Sequence, residues 1–69
     1  GYDRDYWAGR FRFLHYNLEV LKKLKASYER KDARTDLNRA NNAIRYFENQ
    51  LSEWERKASL AGVPHQWRE

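Results

Sequence analysis

The stretch Leu37-Asn38-Arg39-Ala40-Asn41-Asn42-Ala43-Ile44-Arg45-Tyr46-Phe47-Glu48-Asn49-Gln50-Leu51-Ser52-Glu53-Trp54 decides the fold. Its apolar residues Leu37, Ala40, Ile44, Phe47, Leu51 and Trp54 are spaced by alternating steps of three and four, and Ala58 and Ala61 continue the series. Such spacing puts every apolar side chain on one stripe of an α-helix, the seam of a coiled coil. Upstream, Trp7, Phe11, Leu14, Leu18, Leu21, Lys25 and Tyr28 repeat the same steps. Lys25 alone interrupts the apolar content, and a lysine stem lies along a seam with its amine in water.

The two seams do not share a phase. Extended past Tyr28, the first lands on Asp32 and Thr35, both polar, and the second restarts at Leu37. A reversal near Asp32 explains the shift. It pairs Trp7 with Ala58, Phe11 with Trp54, Leu14 with Leu51, Leu18 with Phe47, Leu21 with Ile44, Lys25 with Ala40 and Tyr28 with Leu37. Every pair has the same sum, so one fold-back point registers both seams. Trp7 opposite Ala58 sets large against small, as interdigitated packing requires.

The expected fold is therefore all-α: an antiparallel two-helix coiled-coil hairpin in a single domain spanning 1–69. Helix one covers about 4–30, the turn about 31–34, helix two about 35–61, and a tail 62–69. Asp3 suits an N-cap, with Tyr2 stapled onto Trp7, and Thr35 or Asp32 suits the second helix. Gly62, followed by Val63 and Pro64, reads as a left-handed C-cap with Val63 touching Ala58. The turn contains neither Gly nor Pro. A continuous helix exchanged between two chains is thus the alternative architecture.

Composition narrows function. Zero cysteines exclude a disulfide framework and thiolate metal sites. No apolar run approaches the ~18 residues of a transmembrane helix. The first residue is Gly1, not Met, which reads as a processed or excised chain. His15 and His65 lie fifty residues apart, no Gly-rich phosphate loop occurs, and no serine has a histidine placed as its base. We therefore expect no enzyme activity, no metal and no cofactor. His15 reads as a partly exposed residue at the rim of helix one. Glu19 with Lys23 and Glu53 with Lys57 read as supporting pairs four apart.

Each helix carries more apolar surface than one seam needs. Tyr6, Phe13, Val20 and Leu24 form a second stripe on helix one, and Ala43, Tyr46 and Leu60 lie off the seam of helix two. A stripe that wide belongs to a helix with two neighbours. The expected partner is a second copy, giving a homodimeric four-helix bundle, or another helical protein. Tyr6, Phe13, Val20, Leu24, Tyr46 and Trp67 are the candidate partner-binding residues, with Trp67 expected to reach beyond its own hairpin. The expected function is a non-catalytic protein–protein interaction or assembly module.

Charge supplies the alternative. The net charge is +4, and residues 1–34 carry all of it, with nine Lys/Arg against five Asp/Glu. Arg12, Lys23 and Arg30 fall on the outer surface of helix one and would serve a nucleic-acid-binding module through phosphate contacts. Glu19 and Glu29 interrupt that row.

The ends, Trp7-Ala8-Gly9-Arg10-Phe11 and Ala61-Gly62-Val63-Pro64-His65-Gln66-Trp67-Arg68, resemble small bacterial helical-hairpin proteins of unassigned activity. Those open with Trp-x-x-Arg-Phe and close with Gly-Val-Pro-x-x-Trp. The resemblance implies a hairpin in which Trp7, Arg10, Pro64 and Trp67 lie together, with Arg10 stacked on an indole at the open end.

The pairing rule has a direct check. Cysteines placed at Leu18 and Phe47 should oxidise to a crosslink within one chain, read as a faster-migrating monomer on a non-reducing gel. Crosslinks only between chains would demonstrate the exchanged form.

Overall fold

A computed structural model of the chain describes residues 2–69, and side chains from Asp3 onward. Helix α1 spans Tyr2–Arg30, helix α2 spans Arg34–Leu60, and a short 3-10 turn spans His65–Arg68. The molecule measures 45 × 18 × 14 Å. A helix of 29 residues is by itself about 43 Å long. The longest dimension is thus one helix, and α2 lies back along α1 as the second arm of a hairpin.

Both helices carry charges that suit their ends: Asp3 and Asp5 in the first turn of α1, Arg30 in its last, Asp36 and Lys57 likewise in α2. Asp3 is not the N-cap expected from sequence, because the helix already runs at Tyr2 and places Asp3 inside its first turn. The Tyr2 side chain, and with it the proposed staple, lies outside the described residues.

The reversal takes three residues, Lys31 to Ala33. It is a Schellman motif. The Ala33 N–H donates to the Tyr28 carbonyl at 2.9 Å and the Asp32 N–H to the Glu29 carbonyl at 3.3 Å. This geometry needs a left-handed residue, and Asp32 supplies it at φ 53°. Aspartate is among the few non-glycine residues that tolerate that conformation. The turn therefore closes without Gly or Pro, and neither Asp32 nor Thr35 caps α2. Its N-cap is Ala33, with no side-chain hydrogen bond. Helix α2 ends in a second Schellman motif. Gly62 sits at φ 71°, its N–H donates to the Ser59 carbonyl, and the Val63 N–H donates to the Ala58 carbonyl at 2.9 Å.

Every residue of the first seam is buried or half-buried, as is the second from Leu37 to Ala58. Ala61 is the exception. It is the C-cap of α2 and is exposed. Burial is uneven along the hairpin. Phe11, Leu14, Ala58 and Val63 are enclosed in the open half and Leu18 just past the middle, whereas Ala40 is the buried apolar residue nearest the turn among the described residues. Around Phe11, Ala58 and Val63 pack Trp7, Leu51, Trp54 and Trp67.

Replacing Asp32 by Gly should preserve the hairpin and raise its stability by roughly 0.5–1 kcal/mol, since glycine adopts positive φ without the Cβ penalty. Asp32→Val should lower it by more than about 1 kcal/mol. Urea midpoints of the two variants check the assignment.

Candidate functional site

The hairpin has two long flanks of opposite character. One presents the second stripe. Tyr6, Phe13, Val20, Leu24 and Tyr46 are all exposed, with Tyr6 at 56 %, Phe13 at 51 % and Tyr46 at 58 %. They are joined across the helices by aromatic edges. Tyr6 lies 6.2 Å from Trp54 between ring centroids, Trp7 5.7 Å from Trp54, and Phe13 6.2 Å from Phe47, which in turn meets Tyr46 at 5.2 Å. Nearer the turn the same flank sinks into a shallow depression of about 340 Å³ between Leu24, Tyr28, Ala40 and Ala43, bordered by Asp36 and Arg39. Leu60, also off the seam, is exposed but belongs to the last turn of α2.

Trp54 is the hub of this flank. The Arg10 guanidinium lies 4.8 Å from its ring centroid, the stacking expected at the open end, and the Lys57 amine lies 4.7 Å away. Lys57 therefore does not form the ion pair with Glu53 that its spacing suggested. Glu53 instead accepts a hydrogen bond from Arg56 at 2.9 Å, and that guanidinium holds its carboxyl below the usual carboxylate range. Glu19 and Lys23 form no ion pair among the described residues.

The opposite flank is polar along its middle, where His15, Glu19, Lys22, Glu48 and Ser52 line an open groove. At the open end it is covered by the C-terminal segment. The 3-10 turn packs on α1, and Trp67 is half-buried against the Phe11 cluster. Trp67 thus contacts its own core instead of projecting beyond the hairpin, because the Gly62 cap and Pro64 turn the chain back along α1.

Arg68 anchors this segment, and nothing in its sequence neighbourhood announced it. Its side chain is 8 % exposed. Nη1 donates to Glu55 Oε2 at 3.2 Å and Ser59 Oγ at 3.0 Å, and Nη2 to the Val63 carbonyl at 2.6 Å. Its Nε is the buried side-chain polar atom left without a partner among the described residues. His15 completes the clasp, with Nε2 at 2.9 Å from the Arg68 carbonyl. A carbonyl only accepts, so Nε2 carries the proton. His15 is half-buried at the rim of α1, as expected, and there acts as a structural donor across 53 residues of sequence. The signal was unreadable because a polar contact of that separation has no periodicity.

Arg12, Lys23 and Arg30 are exposed, but Glu19 is exposed on the same outer row and Arg12 borders the cleft that holds Glu69. Among the described residues no cluster of three or more His, Asp or Glu is placed to hold a metal ion. Among the described residues, no helix is long and apolar enough to cross a membrane. No protein-family model, curated protein or solved structure matches the chain.

Arg68→Ala should destabilise the domain by about 2 kcal/mol, through lost charge-assisted hydrogen bonds and an unpaired Val63 carbonyl. Arg68→Met, which loses the same hydrogen bonds but keeps the packing of the stem, should cost less than Arg68→Ala. Denaturant midpoints order the three chains. Equal stability of all three would show that the clasp does not hold the open end.

Proposed function

We propose that this chain is a non-catalytic protein–protein interaction and assembly module, and that its working surface is the aromatic flank running from Tyr6 to Leu24. The observation that carries this reading is one-sidedness. The C-terminal segment covers the other flank at the open end, while Tyr6, Phe13, Val20, Leu24 and Tyr46 stay open to water on a single face. Large aromatic side chains held rigidly on a helix are the residues that dominate binding at interfaces. A chain of this size also encloses little core of its own, and association is the common remedy.

The simplest assembly is a homodimer in which two hairpins join through this flank as a four-helix bundle. Each helix then gains the second neighbour that its wide apolar stripe calls for.

Sedimentation equilibrium over a concentration series should give twice the 8.4 kDa chain mass. Phe13→Glu combined with Leu24→Glu should return the mass to that of one chain while leaving helical circular dichroism intact, since both side chains are already exposed within one hairpin. A dimer that survives both substitutions would place the interface elsewhere.

A further inference from the structure

We propose that the polar flank carries a binding site for a small phosphoryl-bearing anion, a diphosphate, held between Lys22 and Lys25 of α1 and Arg45 of α2. The site adjoins the groove at His15, nearer the turn, and does not depend on the aromatic flank or on any assembly through it. The first observation is Lys25. It holds a seam position, set against Ala40 by the pairing rule, and is half-buried there. A leucine in its place would withdraw more apolar surface from water, so the hairpin gives up stability by carrying an amine at that level. Nothing inside the hairpin offsets the loss. Among the described residues, Lys25 makes no side-chain hydrogen bond and no ion pair.

The second observation is what surrounds it. Lys22 and Lys25 stand one turn apart on α1, and Asn41 and Arg45 one turn apart on α2, so each pair shares a helix face. Together with Ile44 and Glu48 they line a depression of about 510 Å³ between the helices. Three cations against one carboxylate leave it a net charge of +2. Neighbouring depressions are balanced. Beside Ala43, Asp36 stands against Arg39, and in the groove at His15, Glu19 and Glu48 stand against Lys22 and Lys23. Lys22 also has no ion pair among the described residues. Arg45 donates from Nη2 to the Asn42 side chain at 2.9 Å, which leaves its remaining N–H groups open to a ligand.

The chemistry of these donors selects the occupant. Two ammonium groups act as point charges and a guanidinium as a fork, the combination that suits phosphoryl oxygens. The Asn41 amide adds a neutral donor. An excess of two positive charges is met by an anion of two or more negative ones, which a diphosphate supplies and a single carboxylate does not. The depression falls within the ~300–1,000 Å³ of small-ligand sites. A nucleic-acid strand fits less well. Glu48 lies in the depression itself, and Glu19 and Glu29 interrupt the cations of α1, so no unbroken positive track runs along the hairpin.

Inorganic pyrophosphate is the probe. Titrated at low ionic strength into the isotope-labelled chain, it should shift the amide resonances of 22–25 and 41–45 and saturate with a Kd below about 1 mM. Lys25→Gln combined with Arg45→Gln should weaken binding about tenfold or more. Arg4→Gln combined with Arg56→Gln removes the same charge from exposed positions elsewhere and should change the Kd less than about twofold. Lys25→Leu separates site from fold, since it should raise the urea midpoint while weakening pyrophosphate binding. Equal losses in the two double variants would overturn the proposal, because net charge alone would then attract the anion. A titration that does not saturate, or a Lys25→Leu chain that binds as tightly as the original, would overturn it too. So would an oligothymidylate that binds more tightly than pyrophosphate with a salt dependence exceeding about three phosphate contacts, which would show an extended track in place of a discrete site.

Discussion

Two helices side by side form a layer one helix deep, and such a layer leaves many of its seam side chains, Leu21, Ile44 and Phe47 among them, only half-buried. A single helix with its side chains is about 10–12 Å across. A seam residue is flanked by helix on two sides and open above and below. Yet Phe11 has no exposed surface at all, and neither has Ala58. A third wall is required, and Val63 and Trp67 provide it on one side. The C-terminal segment is thus part of the core. Enclosing a phenylalanine fully stabilises by about 1.5–3 kcal/mol relative to exposure, a considerable share of what a domain this small can gather.

That constraint orders the rest. Wrapping a segment back over α1 requires a sharp end to α2, which Gly62 at positive φ supplies. It also requires the last residues to be held, which Arg68 does through Glu55, Ser59 and the Val63 carbonyl, with His15 gripping the Arg68 carbonyl. The segment packs along one flank, and the other flank keeps its aromatic surface exposed.

Most of the helical architecture was legible in the sequence because it is periodic or local. Seams from Trp7 to Tyr28 and from Leu37 to Ala58 are repeats of three and four. The Gly62-Val63-Pro64 cap is a contiguous signal, and the wide stripe through Phe13 and Val20 announces itself by spacing. The turn was harder. Schellman closure normally shows as Gly, and at Asp32 the same geometry is carried by an aspartate that the sequence offers equally well as a cap. The clasp was not legible. Arg68, His15 and Glu55 are ordinary polar residues, brought together only once the tail has folded back. Competition between neighbours was also hidden: Glu53 had Arg56 and Lys57 within reach, and Lys57 lay instead on the Trp54 indole.

The lopsided core reverses the usual gradient of local stability. Helical domains commonly fray at their chain ends, where backbone amides open first and exchange fastest. Here the tightest packing, from Phe11 through Ala58 to Arg68, sits at the end where both termini meet, and Ala40 is the buried apolar residue nearest the turn among the described residues. Amide protection should therefore peak around Phe11 and Ala58, inside the open half, and fall toward Lys31–Ala33, so that the hollow beside Ala40 and Ala43 belongs to the half that opens more readily.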